Sequence, residues 1–417
     1  MSFVGNTTKL QRNPYSWTKL GHILYIDQPV GTGYSTASTP YPARNMDRIT
    51  SDFHRWLRTF FSRFPHLQSK RVHLIGESFA GQFIPYFASA IVHNQDSLQL
   101  NLHSLSLGDP TLGSPETMSS VTIGSFLRSH RATLEIPAEI VSAFSDADEA
   151  CGYNALVQQA QTFPPRKNDP IQAPKNPDNQ ENAAWGAING TCYNHPTTAD
   201  GVLASILNST CEGSCATITT AVDYVQTHAA ARASGKDCFD IYDITNGCDA
   251  VSLFPLVDAY FSRADVQDAL HVLPSTSTAT ATPFSVCNHK ILDILPASGP
   301  LPPPPSYSIL PDMATIHHIP IHVFSGANDM LLNHVGTELV LQNMTWNGAR
   351  GFTQKPDHVF YADNAAPVNG EGGLKAGTWG EERGVSYHLF YGAGHSVFVK
   401  KPKEMFTFVR DVVVGRP

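Results

Sequence analysis

The stretch Gly76-Glu77-Ser78-Phe79-Ala80-Gly81 carries the strongest structural signal in this sequence. It has the pattern Gly-x-Ser-x-Gly, and it lies between an apolar run at residues 72–75 and a segment with apolar residues at helical spacing. A serine in this context occupies a sharp turn between a strand and a helix, where its hydroxyl group is exposed. The pattern therefore predicts that Ser78 is a nucleophile. The alternative is that Ser78 supplies only the hydroxyl group of a tight turn.

Apolar runs of strand length alternate with helical patterns around this turn. Alternation of this kind predicts a mostly parallel sheet with right-handed crossovers, in the α/β class. The predicted strands are residues 22–27, 71–75, 103–107, 319–324 and 388–391, and the predicted helices are residues 46–64, 79–93, 254–272 and a last one with Pro402 in its first turn.

The alternation stops near residue 113, where the chain becomes polar and rich in Cys, Asn, Thr and Ala. We interpret this stretch as an insertion that caps the sheet. The expected organisation is a first part of the core at residues 1–112, a cap at 113–252 and a second part of the core at 253–417.

Composition narrows the classes of partner. The chain has 417 residues, of which 41% are hydrophobic and 15% charged, with a formal net charge of -8. This balance argues against nucleic acid or an anionic membrane as a partner. No run of 18 apolar residues occurs, so we expect no membrane span. No Cys-x2-Cys pair occurs either, so we expect no zinc site and no other metal.

Cysteines and glycosylation sequons point to an oxidising, secretory compartment. Six of the seven cysteines crowd into one polar region and are disulfide candidates, although buried free thiols are the alternative: Cys151, Cys192, Cys211, Cys215, Cys238 and Cys248. Four Asn-x-Ser/Thr sequons are glycosylation candidates: Asn6, Asn189, Asn208 and Asn343. The first residues, Met-Ser-Phe-Val-Gly, have none of the features of a signal peptide, so the two indications disagree.

A serine nucleophile needs a base and a group that orients the base. In strand-turn-helix hydrolases these follow in the order Ser, Asp or Glu, His, each after a strand. Asp329 ends the loop Gly326-Ala-Asn-Asp329, and His395 ends the loop Gly392-Ala-Gly-His395, each after a predicted strand. We expect both side chains to converge on Ser78. The alternatives are a helix cap for Asp329 and a structural role for His395.

Four motifs together resemble the serine carboxypeptidases: Asn13-Pro-x-Ser-Trp17, Ile26-Asp-Gln-Pro-Val-Gly-Thr-Gly-Tyr-Ser35, Gly76-Glu-Ser-Phe-Ala-Gly-Gln-Phe-Ile-Pro85 and Gly392-Ala-Gly-His395. The resemblance covers nearly the whole chain and is weakest over the cap. It implies an α/β-hydrolase fold with a helical, disulfide-containing cap. It also implies removal of C-terminal residues from peptides, usually at acid pH and without a cofactor. Ser78 then resembles the nucleophile, His395 the general base and Asp329 its orienting acid.

The resemblance gives roles to the two residues beside Ser78. The backbone N–H of Phe79 resembles an oxyanion donor, and Glu77 resembles the family's glutamate next to the nucleophile. A protonated carboxylic acid can donate a hydrogen bond to the free carboxylate of a substrate, and two carboxyl groups that share a proton have a raised apparent pKa. This would link substrate binding to acid pH. The alternative is that Glu77 is an ordinary turn residue.

The chain departs from the family pattern upstream of Asn13. Family members have there a strand ending in Trp-x-Asn-Gly-Gly-Pro-Gly-Cys, which provides a second oxyanion donor, an asparagine for the substrate carboxylate and an acid that pairs with the residue matched by Glu77. We therefore expect N-terminal strands to be missing, with unpaired edges beside the strands at 22–27 and 71–75. The hypothesis is that the sequence is a truncated or incomplete version of a full-length secreted enzyme.

The same departure bears on disulfide pairing. Cys287 resembles the cysteine whose partner lies in the missing segment, so we expect it to be unpaired. The other six cysteines have 15 possible connectivities. One guess is a nested pairing, Cys211 with Cys248 and Cys215 with Cys238.

The predicted function is that of a serine carboxypeptidase acting on peptide or protein C-termini through an acyl-enzyme. Two alternatives stay open: an esterase or acyltransferase of the same fold, and a non-catalytic relative that binds peptides. For the full-length protein we expect a secreted location or a vacuolar, lysosome-like lumen.

Overall fold

The computed structural model describes residues 2–5, 7–35, 45–114, 116–166, 193–208, 213–231, 239–247, 253–272, 283–288, 290–291, 303–362 and 375–415. The chain forms two compact units. The first comprises Met1–Ser69, Asn94–Gln99 and Asp249–Pro303, and the second comprises Lys70–His93, Leu100–Cys248 and Pro304–Pro417.

The strands, in chain order, are β1 Ser2–Phe3, β2 Leu10–Gln11, β3 Arg71–Glu77, β4 Asn101–Gly108, β5 Ile321–Gly326, β6 Thr345–Trp346, β7 Ala349–Arg350, β8 His358–Tyr361, β9 Lys375–Glu382 and β10 Val385–Phe390. The α-helices are α1 Met46–Arg63, α2 Ala80–His93, α3 Val121–Ser129, α4 Arg131–Leu134, α5 Ala138–Ala150, α6 Tyr153–Ala160, α7 Ala199–Leu207, α8 Thr217–Ala231, α9 Leu253–Phe261, α10 Ala264–Ala269, α11 Ile309–Thr315, α12 His334–Asn343, α13 Val397–Lys400 and α14 Pro402–Phe408.

In the first unit, α1 begins at the predicted residue, Met46, and ends at Arg63, one residue before the predicted end. The side chain of Asn45 accepts a hydrogen bond from the backbone N–H of Arg48 and so caps the first turn. The buried side chains recur every three to four residues along one face, which is the pattern of an amphipathic helix: Met46, Ile49, Phe53, Leu57 and Phe61.

The predicted strand at residues 22–27 is wrong, because residues 22–28 pair with no strand in the described part of the chain. Leu24 and Tyr25 are 46% and 81% exposed. Apolar and β-branched residues favour a strand only where a neighbouring strand completes the hydrogen bonds. Here the chain bends back on itself instead. The carboxylate of Asp27 accepts the backbone N–H of Tyr34 at 2.7 Å, and its carbonyl accepts the hydroxyl of Ser35 at 2.8 Å.

The second unit contains a six-stranded sheet in the order β3-β4-β5-β10-β9-β8. The first four strands are parallel, while β9 and β8 add antiparallel pairs. The prediction of a mostly parallel sheet is therefore confirmed. One face packs against α2, α11 and α12. On the opposite face, Phe408 of α14 lies against His388 and Phe390 of β10.

A second cluster of buried side chains joins α3, α5, α6, α7 and α8, all from the stretch that the sequence predicts as a cap, and it also includes Met330, Val335 and Leu339 from the second part of the core. Phe126, Phe144 and Val225 are fully buried in it. The predicted boundaries at residues 112 and 252 stay a prediction. Among the described helices, none combines the length and apolar character that crossing a membrane requires.

A disulfide joins Cys151, at the end of α5, to Cys215, two residues before α8 begins. The guess that Cys215 pairs with Cys238 is therefore wrong. Both ends of the bond belong to the helical cluster, and the Tyr153 hydroxyl donates to the Cys215 carbonyl at 2.9 Å, so packing sets this pairing. Cys287 is exposed and free. The other candidates lie outside the described residues: Cys192, Cys211, Cys238 and Cys248.

Candidate active site

The site lies at the carboxyl ends of the parallel strands. In the ladder register, Glu77 pairs with Gly108, Gly108 with Phe324, and Gly326 with Phe390. The loops that follow these four strands therefore begin side by side. This is the edge at which open α/β sheets generally bind ligands.

Ser78 lies on the turn between β3 and α2 and has the positive φ angle of 61°. This left-handed conformation is uncommon for a residue with a side chain and persists only where the surroundings hold it. Here the Ser78 N–H donates to the Gly108 carbonyl at 2.9 Å, and the Ser78 carbonyl accepts the Thr111 N–H at 3.1 Å. The loop after β4 thus fixes the turn on both sides.

Close contacts with neighbouring atoms explain why both outer positions of the Gly-x-Ser-x-Gly pattern, Gly76 and Gly81, are glycines. A Cβ atom at Gly76 would lie 2.5 Å from the Cβ atom of Ala80, and one at Gly81 would lie 2.7 Å from the backbone nitrogen of Thr111. Both approaches are too close for any side chain. The pattern therefore records how tightly the helix packs on the strand and on the neighbouring loop.

His395 and Asp329 form the hydrogen-bonded pair at the centre of the site. The distance between His395 Nδ1 and Asp329 Oδ2 is 2.6 Å. Asp329 is fully buried, and its Oδ1 accepts the backbone N–H groups of Leu331 at 2.9 Å and Leu332 at 3.2 Å. The backbone N–H of His395 donates to the Tyr242 carbonyl at 2.7 Å. Both members of the pair are therefore fixed by backbone contacts of their own.

The loops that carry this pair pass each other closely. A Cβ atom at Gly326 would lie 2.1 Å from the Gly394 carbonyl oxygen, and one at Gly394 would lie 2.2 Å from the Tyr242 carbonyl oxygen. Only glycine permits this approach at either position. The flanking glycines in the sequence predict that Asp329 and His395 converge, and the structure brings these two side chains together.

The pKa of His395 reflects opposing influences. Burial lowers it, while the charge of Asp329 and its hydrogen bond raise it, and the charge of Glu77 raises it further. The net result is a pKa above the ordinary value of 6.5. A carboxylate that accepts a hydrogen bond from Nδ1 leaves Nε2 free to take up a proton.

Glu77 reaches from the end of β3 to the histidine loop. Its Oε1 accepts the hydroxyl group of Ser396 at 2.8 Å. Its Oε2 is buried and has no hydrogen-bond partner among the described residues. Burial raises the pKa of Glu77 to about 7, although the charge of His395 and the Ser396 hydrogen bond lower it. Glu77 is therefore a carboxyl group that holds its proton at mildly acid pH.

The Ser78 hydroxyl group and the Phe79 N–H have no hydrogen-bond partner in the described part of the chain. Catalytic hydrogen bonds are often long in free enzymes and shorten when substrate binds. The residues next to Ser78 and His395 do touch, through the hydrogen bond between Glu77 and Ser396.

Asp109 is a site residue that the sequence analysis missed. It is fully buried directly after β4, has a φ of 37°, and its Oδ1 accepts the Gly326 N–H at 2.9 Å. Asp109, Asp329 and His395 each have a potential ligand atom within 4.8 Å of the others, a spacing that a metal ion also suits. The sequence does contain one indication of a site residue here, because Asp109 follows a predicted strand as Asp329 does. The adjacent Pro110, however, favours the interpretation of Asp109 as an ordinary turn residue.

Two of the four glycosylation candidates lie at the ends of helices. Asn208 is exposed at the end of α7, and Asn343 is half-buried at the end of α12. Asn6 and Asn189 lie outside the described residues.

A family model described as serine carboxypeptidase matches residues 2–415. The chain belongs to the serine carboxypeptidase family. The family named by the sequence motifs is thereby confirmed. A carboxypeptidase Y homolog of Arthroderma benhamiae is 42% identical over 424 residues, which cover 99% of this chain and 79% of that protein.

More distant serine carboxypeptidases are longer. A pheromone-processing carboxypeptidase kex1 of Aspergillus fumigatus is 26% identical over 408 residues, which cover 95% of this chain and 54% of that protein. The chain thus spans about half the length of such relatives.

The crystal structure of Kex1(delta)p, a prohormone-processing carboxypeptidase from Saccharomyces cerevisiae, matches with a TM-score of 0.65 at 22% identity. The match covers 97% of this chain and 76% of that one. It confirms the predicted fold class, an α/β-hydrolase with a helical insertion.

Proposed function

We propose that this chain hydrolyses the last peptide bond of peptides or proteins through an acyl-enzyme, with Ser78 as nucleophile, His395 as general base and Asp329 as the acid that orients the base. The observation that carries the proposal is the 2.6 Å hydrogen bond between His395 Nδ1 and a fully buried Asp329, at the strand edge where Ser78 occupies its turn. Family membership supports the reaction class.

The geometry supports a division of roles. Asp329 accepts a hydrogen bond from the Nδ1–H group of His395 and so fixes the tautomer in which Nε2 takes the proton of the Ser78 hydroxyl. Attack on the peptide carbonyl creates an oxyanion, and the Phe79 N–H, unused by any described residue, is its proposed donor. His395 then returns the proton to the leaving amine. Water completes the second half of the reaction by the same route.

Glu77 is the proposed contact for the free carboxylate of the substrate. Its buried Oε2 lacks a partner among the described residues, and its pKa of about 7 keeps it protonated below neutral pH. A protonated carboxyl group donates a hydrogen bond, whereas an ionised one repels a carboxylate. This arrangement favours a substrate with a free C-terminus over an ester, and favours acid pH.

The cellular location and the domain arrangement are further proposals. The disulfide between Cys151 and Cys215 supports an oxidising compartment, either secreted or a vacuolar lumen. The separate buried cluster of α3, α5, α6, α7 and α8 supports a cap built from residues 113–252. No nucleic acid or membrane partner is proposed.

The test combines covalent labelling with substrate choice. We expect a fluorophosphonate probe to modify Ser78, and Ser78→Ala to abolish the labelling, while Ser129→Ala, at an exposed serine, leaves it unchanged. We also expect a blocked dipeptide with a free carboxylate to be cleaved faster than its C-terminal amide. Faster cleavage of small esters would indicate an esterase or acyltransferase. Absence of any adduct would indicate a non-catalytic relative.

A further inference from the structure

We propose that Asp109 and Asp329 share a single negative charge, which Asp329 carries in the wild type and which Asp109 takes over when Asp329 cannot carry it. The inference rests on the proposed function of Asp329 and His395. Asp109 has no part in the mechanism above, yet it lies fully buried beside both residues.

The backbone holds Asp109 against the strand that leads to Asp329. Its N–H donates to the Phe324 carbonyl at 2.8 Å, and its Oδ1 accepts the Gly326 N–H at 2.9 Å. The Gly326 carbonyl in turn accepts the Asp329 N–H at 3.3 Å. Asp109 therefore touches the first residue of the loop whose last residue orients His395.

The other oxygen of Asp109, Oδ2, is buried and has no hydrogen-bond partner among the residues that the structure describes. An oxygen atom of Asp109, one of Asp329 and a ring nitrogen of His395 all lie within 4.8 Å of one another. An ionised carboxylate with one bare oxygen would be costly in such a place.

The proton that the two carboxyl groups share stays on Asp109, because Asp329 accepts more hydrogen bonds from the protein. Asp329 accepts two backbone N–H groups and the imidazole, whereas Asp109 accepts one N–H group. Two neighbouring buried carboxyl groups titrate as a pair, and the less stabilised one keeps the proton. Burial raises the pKa of Asp109 well above its usual range, and the charges of Asp329 and then Glu77 raise it further.

Removal of the charge on Asp329 reverses this balance. The ionisable groups around Asp109 are Glu77 of β3, Asp329, His395 and, more weakly, Tyr387 of β10. In Asp329→Asn, the charge that most raises the pKa of Asp109 after burial is gone. Asp109 then ionises at lower pH and stabilises the imidazolium form of His395.

The experiment is a double-mutant cycle with Asp109→Asn and Asp329→Asn, read as the rate of fluorophosphonate labelling of Ser78 against pH. Asparagine keeps an oxygen that accepts the Gly326 N–H and mimics the neutral carboxyl group. We expect Asp109→Asn to change the rate by no more than about twofold in the wild-type background and to lower it at least about tenfold in the Asp329→Asn background. We also expect the rate of Asp329→Asn to rise with pH, and that of the double variant to rise at a pH about one unit lower and to a lower plateau.

Asp148→Asn is the matched control, because Asp148 is another buried carboxyl group but contacts Arg128. It should have the same effect in both backgrounds. An equal factor for Asp109→Asn in both backgrounds would mean a purely structural role and would overturn the proposal. If Asp109→Asn does not fold, Asp109→Ser, which also keeps an acceptor oxygen, takes its place in the cycle.

A second readout separates this proposal from the proposed function. If the wild-type chain does not label, catalysis by Ser78 is refuted, but the pKa of His395 can still be measured by NMR. We expect Asp109→Asn to lower the pKa of His395 by about one unit in the Asp329→Asn background and to leave it nearly unchanged otherwise. No difference between the backgrounds overturns the role of Asp109.

Discussion

Glu77 and His395 influence each other across the contact between their loops. Each changes the pKa of the other through its charge. Ionised Glu77 raises the pKa of His395, and protonated His395 lowers the pKa of Glu77. Below about pH 7 Glu77 is protonated, so it can make the proposed hydrogen bond to a substrate carboxylate and no longer raises the pKa of His395. In the proposed mechanism, protonation of Glu77 thus favours binding of the substrate carboxylate and lets His395 lose its own proton at a lower pH.

The variant Glu77→Gln tests this coupling. In the wild type, ionisation of Glu77 as pH rises through about 7 should weaken binding of the substrate carboxylate, so KM should increase. Glutamine keeps a hydrogen-bond donor without a charge. We therefore expect a KM that does not change with pH, and an acid limb of kcat at the same pH as in the wild type, because Glu77 is already neutral below about pH 7; both are measured with a blocked dipeptide between about pH 4 and pH 8.

Glu149→Gln, at an exposed carboxylate, is the control and should leave both profiles unchanged. A KM of Glu77→Gln that still increases with pH, as in the wild type, would contradict the assignment.

At the residue scale, the sequence predicts the site residues that directly follow glycine-containing loops or turns. Ser78, Asp329 and His395 each have such a signature, and the structure brings Asp329 and His395 together. Asp109 and Ser396 also stand close after glycines, Gly108 and Gly394, but neither completes a motif that predicts chemistry. Their importance comes from burial and from partners distant in the chain, Gly326 and Glu77, which the local sequence does not encode.

At the element scale, the site depends on the close crossing of the loops after β5 and β10. The backbone of Gly394 occupies the space that a side chain at Gly326 would need. Protein interiors are close-packed, so an added methyl group must push one loop away from the other. The hydrogen bond between Asp329 and His395 spans these same two loops.

We expect Gly326→Ala to lower the free energy of unfolding by about 1–3 kcal/mol and to reduce kcat more than it raises KM, because the methyl group separates Asp329 from His395, the proposed orienting acid and base. Denaturant unfolding and steady-state kinetics measure the two effects. Gly247→Ala is the control, since a Cβ atom there meets nothing within 4 Å. Equal effects of the two substitutions would refute the steric argument.

The sequence predicts best those helices and strands whose buried apolar side chains recur at a regular spacing along the chain. Helix α1 and strands β3, β4, β5 and β10 occur at their predicted places, with ends that differ by a few residues. The segment predicted as one helix at 254–272 forms two helices, α9 and α10. Strand β9 contains two glycines and two glutamates, a composition that does not signal a strand. It forms because β10 and β8 pair with it on both sides.

At the scale of the whole molecule, two sets of buried groups act on stability in opposite directions. Burial lowers the pKa of His73, His322 and His334 to about 4 and that of His388 to about 3. Their folded pKa lies below the unfolded value, so stability falls as pH decreases from about 6.5. Four carboxyl groups have raised pKa values and stabilise the fold as pH decreases over the same range: Glu77, Asp109, Asp148 and Glu338. We therefore expect little net dependence of stability on pH between about 4.5 and 6.5.

The variant His388→Phe isolates one side of this balance. Both ring nitrogens of His388 are buried without partners among the described residues, and its ring stacks on Trp379 and lies against Phe408. We expect the gain in stability over the wild type to grow by about 1.4 kcal/mol for each pH unit below about 6.5, down to about pH 4. Thermal unfolding at several pH values measures it.

His358→Phe is the matched control, because His358 is exposed and lies near the same tryptophan, at 6.1 Å between ring centroids. It should give the same change at every pH. A gain for His388→Phe that is constant with pH would mean that His388 does not acquire a proton on unfolding.

The bond between Cys151 and Cys215 spans 64 positions of the chain. A protease that cuts once anywhere between these two cysteines produces two fragments that remain covalently attached. Such a nicked molecule would migrate as a single band in electrophoresis without a thiol and as two bands once the thiol is added. The integrity of a purified sample therefore has to be judged on reducing gels.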